Sequence, residues 1–261
     1  MPESDAALLE AAAREAGHIA MSYFRRDPRV WEKADAAGPV TEADLAVNEM
    51  LSSKLRAART TYGWLSEESV DGEGRLATER QFIVDPIDGT RAFIAGSADW
   101  AHALAVVDRE RPVAAAVYLP ASDMMFTAEV GQGAFLNGEP IRATDVADPL
   151  EARILASKFN FAPNLWREGA APIHRHFRSS LALRMCLVAQ GAFDAMLTLR
   201  PAWEWDIAAG ALIVAEAGGV VTGAQGAPLR FNNPHPQVAS VVAGGAVHPA
   251  LISALAPPSV G

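Results

Sequence analysis

The clearest chemistry in this 261-residue chain lies in two aspartates three apart, within Phe82-Ile83-Val84-Asp85-Pro86-Ile87-Asp88-Gly89-Thr90-Arg91-Ala92-Phe93. The apolar run reads as a buried strand that ends at Asp85, with Pro86 stopping it because proline cannot donate to a ladder. Pro86 fixes one torsion and Gly89 lets the backbone turn, so both carboxylates can converge on one point. Two hard oxygen ligands on a rigid turn suit Mg²⁺. Gly89 and Thr90 would open a short helix whose free N–H groups face the same point, which is where a phosphate binds. An isolated Asp-Gly is ordinary turn chemistry. The whole hexapeptide Asp85–Thr90 behind an apolar strand is far more specific.

Three other acidic stretches fit the same chemistry, and each has a plain structural explanation. Thr41-Glu42-Ala43-Asp44 before Val47, Met50, Leu51 and Leu55 reads as a capping box that opens a helix. Ser66-Glu67-Glu68-Ser69 follows the β-prone run Thr61–Leu65, and adjacent glutamates are normally solvated charge. Asp206 in Trp203-Glu204-Trp205-Asp206 reads as the cap of a small-residue helix that Gly218 ends.

Taken together, these stretches resemble the inositol monophosphatase superfamily of metal-dependent, lithium-sensitive phosphatases. Asp85-Pro86-Ile87-Asp88-Gly89-Thr90 resembles its first signature. Trp205-Asp206-Ile207-Ala208-Ala209-Gly210, followed by Glu216-Ala217-Gly218-Gly219, resembles its second. Glu67-Glu68-Ser69 is similar to the family's Gly-Glu-Glu-Ser with Ser66 in place of the glycine, and Thr41 and Asp44, preceded by Lys33, match its Val-Thr-x-x-Asp. The resemblance runs from Lys33 to Gly245. A dehalogenase-type phosphatase loop, Asp-x-Asp-Gly-Thr, is excluded because Pro86 stands where its nucleophile belongs.

The resemblance implies a Mg²⁺ site of two or three ions held by Glu67, Asp85, Asp88, Asp206 and the carbonyl of Ile87, an all-oxygen set. It further implies that Glu67 and the Thr90 hydroxyl position a water and that Asp44 orients Thr90. The N–H groups of Gly89 and Thr90 hold the phosphate, and a helix start bearing Ser180 and Arg184 lies beside the substrate. The family's substrates include inositol monophosphates, 3′-phosphoadenosine 5′-phosphate, fructose bisphosphate and histidinol phosphate. Leu199 stands seven before Asp206, where inositol phosphatases place an acidic residue, and Glu204 or Arg200 could compensate. The alternatives are a histidinol-phosphate phosphatase of the same fold and a non-catalytic phosphometabolite-binding protein, and the retained Thr90 and ligand set argue against the second. The implied architecture is α/β, a layered αβαβα sandwich with two sheets. An N-terminal half (1–145) would carry most ligands and a C-terminal half (146–261) would supply Asp206, with the Ala143–Leu150 stretch as the boundary. By family analogy the chain is a homodimer.

The elements that must position these residues follow from periodicity. Residues 4–26 form an amphipathic helix with Ser4 as cap, and Ala101–Val107, Pro112–Leu119 and Met124–Val130 form antiparallel strands. Asn137-Gly138 makes a hairpin turn. Ser179–Ala189 is a capped helix stopped by Gly191. A net charge of -9 with three lysines argues against nucleic-acid polymers as partners. The one cysteine, Cys186, sits in an apolar run and reads as a buried thiol. No apolar stretch approaches a membrane span, and the acidic Met1-Pro2-Glu3-Ser4-Asp5 is unlike a signal peptide, so the expected location is cytoplasmic.

Overall fold

The computed structural model describes residues 3–33, 38–169 and 174–257. The elements run α1 (Asp5–Tyr23), β1 (Val30–Glu32), β2 (Pro39–Thr41), α2 (Glu42–Ala58), β3 (Gly63–Ser66), β4 (Arg80–Asp88), α3 (Thr90–Ile94), β5 (Ala101–Asp108), β6 (Arg111–Leu119), β7 (Met124–Glu129), β8 (Gly133–Leu136) and β9 (Glu139–Pro140). They continue as β10 (Arg153–Ala156), β11 (His174–His176), α4 (Leu181–Ala189), β12 (Ala195–Thr198), β13 (Ala202–Trp203), α5 (Glu204–Glu216), β14 (Val220–Thr222), β15 (Gln237–Val238), β16 (Val241–Gly244) and α6 (His248–Ala254). Strands β3 to β9 form a seven-stranded sheet in sequence order, antiparallel except for the β3–β4 pair. A five-stranded sheet has the order β11-β10-β12-β16-β14.

Strand alternation decides what each face packs against. On β4, Phe82 and Val84 join Leu8, Leu9, Ala12 and Leu51 of α1 and α2 in one core. Ile83 points the other way, into a core that takes in α4, α5 and the near face of the five-stranded sheet through Leu155, Met196 and Ala243. The far face of that sheet packs Ile154, Leu197 and Val242 against Val247 and Leu251 at α6. The layers are therefore α1/α2, sheet, α4/α5, sheet, α6, as the family resemblance implies. Asp85 shares the side of Ile83, so it faces the α4/α5 layer.

A helix sandwiched between two sheets must be apolar all round. Accordingly, Ile207 to Val214 of α5 are all buried. Gly210 lets α4 approach closely, since a Cβ there would lie 2.6 Å from Met185 Cβ. Cys186 is buried in the same layer, and burial pushes its thiol well above the usual range. Among the described residues no helix is long and apolar enough to cross a membrane.

Candidate active site

Contrary to the expectation that Pro86 stops it, β4 runs on to Asp88. Its pairing with β5 slips between Asp85↔Ala103 and Asp88↔Ala101, so three steps on one strand match two on the other. This is a bulge, and it decides the chemistry. In a regular strand, residues three apart point to opposite faces, and the inserted residue returns Asp88 to the side of Asp85. Pro86 is tolerated because the ladder is already interrupted there, and its carbonyl accepts from Nδ1 of the buried His102. Gly89 then takes φ 99°, where a Cβ would meet the Asp99 carbonyl at 2.8 Å, and α3 starts at Thr90.

Each candidate side chain is held by a named partner. The Asp85 Oδ1 atom accepts from the Ile87 N–H at 2.9 Å. Oδ2 of Asp88 accepts from Ser180 Oγ at 2.5 Å and from the Ala182 N–H at 2.7 Å, which fixes it to the start of α4. Asp206 is not the cap of α5. Trp203 is, and Asp206 stands in the first helical turn, where the helix dipole favours an acid. Carboxylate oxygens of Asp85, Asp88 and Asp206 all lie within 4.8 Å of one another. Glu67 lines the same cavity, with its Oε1 accepting from Lys33 Nζ at 2.6 Å.

Asp44 serves both readings made of it. Its Oδ2 accepts from the Thr41 N–H at 2.8 Å and Thr41 Oγ1 at 2.6 Å, completing the capping box of α2. Oδ1 lies 3.3 Å from Thr90 Oγ1, which also reaches the Ile87 carbonyl at 3.1 Å.

The cavity, about 330 Å³, is lined by Glu67, Asp85, Ile87, Asp88, Gly89, Thr90 and Asp206 on its acidic side. Ser180 and Arg184, expected at the substrate, do not line it. Ser180 is fully buried as the cap of α4 and the support of Asp88, whereas its neighbours Ser179 and Leu181 do face the cavity. Arg184 is buried with its Nε donating to the Arg178 carbonyl at 2.6 Å. Sequence reasoning missed the clamp of Lys33 on Glu67 and Glu68, and missed Asn48, which accepts from Ser66 Oγ at 2.7 Å and donates to Ser69 Oγ at 3.1 Å. Asn48 sits on α2 with no motif around it, so only the fold reveals it. A larger cavity of about 710 Å³ between the β5–β6 turn and α5 has Glu110 as its one acidic residue beside Arg109, Arg111 and Arg230, and no carboxylate cluster.

The family model for the inositol monophosphatase family matches residues 1–257. The chain belongs to this family. It is 35% identical over 228 residues to the Nus factor SuhB of Escherichia coli, covering 81% of this chain and 82% of that protein. It is 33% identical over 211 residues to the fructose-1,6-bisphosphatase/inositol-1-monophosphatase of Thermotoga maritima, covering 80% of each. The solved structure of a Thermotoga maritima IMPase superposes with a TM-score of 0.80 at 30% identity, over 94% of this chain and 93% of that one. Inositol monophosphatases are phosphoric monoester hydrolases, and this chain is an enzyme of that class.

The electrostatics of this inositol monophosphatase family site follow from crowding acids away from water. Burial, then Glu67 and the other two aspartates, raises the Asp85 carboxyl well above its usual range, and burial followed by repulsion from Asp88 does the same to Asp206. Asp88 is raised to about 6 by burial, against the pull of Ser180 and Ala182. Asp44 reaches about 6 and Glu68 about 7, both chiefly through burial. Lys33 loses some charge preference to burial but is raised overall by Glu67 and Glu68. Carboxylates this close must take up protons or share a cation. An all-oxygen donor set without Cys or His fits a hard divalent ion.

Proposed function

We propose that this protein is a Mg²⁺-dependent phosphomonoesterase that hydrolyses a small phosphorylated metabolite of the inositol monophosphate or 3′-phosphoadenosine 5′-phosphate kind. The observation that carries this reading is the gathering of Asp85, Asp88 and Asp206 within 4.8 Å, in one cavity with Glu67 and with Thr90, whose hydroxyl meets Asp44. Asp85, Asp88, Asp206, Glu67 and the Ile87 carbonyl would hold two or three ions. Bound there, Mg²⁺ supplies an acidified water and neutralises charge on the leaving oxygen.

The chain's own groups do the rest. The Thr90 hydroxyl, oriented by Asp44, and the Glu67 carboxylate hold the attacking water in line. Amide N–H groups of Gly89 and Thr90 bind the phosphate oxygens. Ser180 and the Ala182 N–H fix the Asp88 rotamer, and Asp206 stands on the leaving-group side. The relatives' names span inositol-1-monophosphatase, fructose-1,6-bisphosphatase and a Nus factor, so the substrate must be read from the cavity.

Phosphate release from inositol 1-phosphate, 3′-phosphoadenosine 5′-phosphate, fructose 1,6-bisphosphate and histidinol phosphate, with and without Mg²⁺ and Li⁺, tests the proposal. Mg²⁺-dependent, Li⁺-inhibited release from at least one is expected. Tight binding of one of them without release would favour a phosphometabolite sensor instead.

A further inference from the structure

Besides the acidic side, the described residues that line the cavity include Pro39, Ala92, Phe177 and Leu181, with Arg91 and Ser179 as further polar members. A polyol leaving group needs a donor or acceptor for each hydroxyl it buries, and an unpaired one costs free energy. The three positions that could supply them from the segment before Asp206 are all engaged elsewhere. Leu199 packs against the core under α6 and borders a different cavity. Glu204 is fully buried, accepting from the N–H groups of Asn232 and Asn233 and from Asn233 Nδ2. The Arg200 guanidinium lies over the Phe159 ring at 3.9 Å.

Phe177 is 47% exposed at the cavity mouth, and its position is set by Arg184, whose guanidinium lies over the ring at 4.7 Å. Arg184 is itself 5% exposed and anchored through Nε to the Arg178 carbonyl. Phe177 thus lines the cavity with a cation against one face of its ring. Aromatic rings stack or meet edge-on with a preference beyond the area they bury. Leu181 and Ala92 continue the apolar wall.

Building on the phosphatase reading, we infer that the leaving alcohol of this enzyme's substrate carries a planar ring that stacks on Phe177, rather than a polyhydroxylated one. Arg184, which resemblance places at the substrate, acts through that ring as a positioning residue.

The test compares kcat/KM with Mg²⁺ for 2-phenylethyl phosphate, 2-cyclohexylethyl phosphate and myo-inositol 1-phosphate. The first two share an alcohol of similar acidity and differ in planarity. The phenyl ester is expected to exceed the cyclohexyl ester by about fivefold to tenfold, mostly in KM, and to exceed the inositol ester. Phe177→Leu should collapse the phenyl-to-cyclohexyl ratio to below about twofold, and Phe177→Trp should restore it. A wild-type preference for the inositol ester, or a ratio unmoved by Phe177→Leu, overturns the inference while leaving the phosphatase reading intact. Absence of turnover for every ester defeats both.

Discussion

Asp88 is the residue on which most of the site converges. One carboxylate oxygen is committed to Ser180 and the Ala182 N–H, and the group lies within 4.8 Å of Asp85 and Asp206 through its carboxylate oxygens. Asp88→Asn keeps an acceptor for the α4 start but removes the charge that a hard cation needs. Turnover should fall by more than the roughly 10- to 100-fold that loss of a supporting group costs, with the circular dichroism spectrum unchanged. A variant with near-normal activity would refute the ligand assignment. Ser180→Ala makes a sharper distinction. If Ser180 touched substrate, its loss would raise KM at saturating Mg²⁺. Because it supports Asp88 instead, the expected outcome is a Mg²⁺ requirement raised about 10- to 100-fold, with KM at saturating Mg²⁺ little changed. Loss of the α4 cap should add about 1 kcal/mol of destabilisation, measured by urea denaturation.

At the scale of elements, the site is a matter of how β4, α4 and α5 meet. The bulge at Pro86 points two aspartates the same way, the start of α4 receives one of them, and the first turn of α5 brings Asp206 alongside. The spacing of α4 from α5 therefore sets the spacing of the carboxylates. Gly210 permits it, with Met185 Cβ and Sδ at 2.6 and 2.8 Å from where a Cβ would sit. Gly210→Val should destabilise the fold by roughly 1 to 3 kcal/mol through overpacking. It should also weaken Mg²⁺ binding in calorimetric titration, although residue 210 is no ligand. Destabilisation without any change in Mg²⁺ affinity would show that the two helices do not set the site. Much at this scale was legible in the sequence: Thr41 and Asp44 announce a capping box, Ser4 and Ser180 cap their helices, and Asn137-Gly138 turns a hairpin. Two readings failed for identifiable reasons. The reading of Pro86 as a strand stop fails because the N–H that proline lacks is not needed where a bulge has already broken the ladder. The plain explanation of Asp206 as a cap gives way too, since Trp203 fills that position without a capping side chain, and the expectation of Asp206 as a ligand is the one its place beside Asp85 and Asp88 agrees with.

For the whole molecule, the carboxylate cluster is a cost that a cation removes, and that makes stability depend on pH and Mg²⁺ together. In metal-stripped protein, Asp85, Asp88 and Asp206 hold protons more tightly folded than unfolded. The folded chain then binds the excess protons above the ordinary carboxylate range, so stability falls as pH rises through that window, past about 6 for Asp88. His102 works in the opposite sense. Burial lowers it to about 4 from 6.5, so its contribution is full above 6.5 and is lost as pH falls toward 4. Subtracting the stripped from the Mg²⁺-saturated curve cancels His102 and leaves the cluster. The gap in Tm should reach roughly 5 to 10 °C at a hundredfold excess over Kd and widen from about pH 5 to about pH 7.5. A gap that stays constant across that range would mean the acids are not the ligands. Individual strands and helices were readable because their periods are local, and the layered fold came from the family resemblance that the two signatures carry. The clamp of Lys33 on Glu67 and the support from Asn48 were not readable, because each joins segments far apart in sequence that no local pattern relates, and the stacking of Arg184 on Phe177 was not, because it crosses from a loop to a helix whose relative path no periodicity fixes.

The decisive property of the molecule is whether acids from β3–β4, β4 and α5 share one cation cluster. A crystal structure with Mn²⁺ in place of Mg²⁺, its anomalous map calculated at the manganese edge, answers this directly. The predicted result is an anomalous peak bonded to oxygens of Asp85, Asp88 and Asp206 at about 2.0 to 2.3 Å, with Glu67 turned from Lys33 toward the same cluster. A map with no peak between those side chains at saturating Mn²⁺, or with Mn²⁺ bound elsewhere, would contradict it.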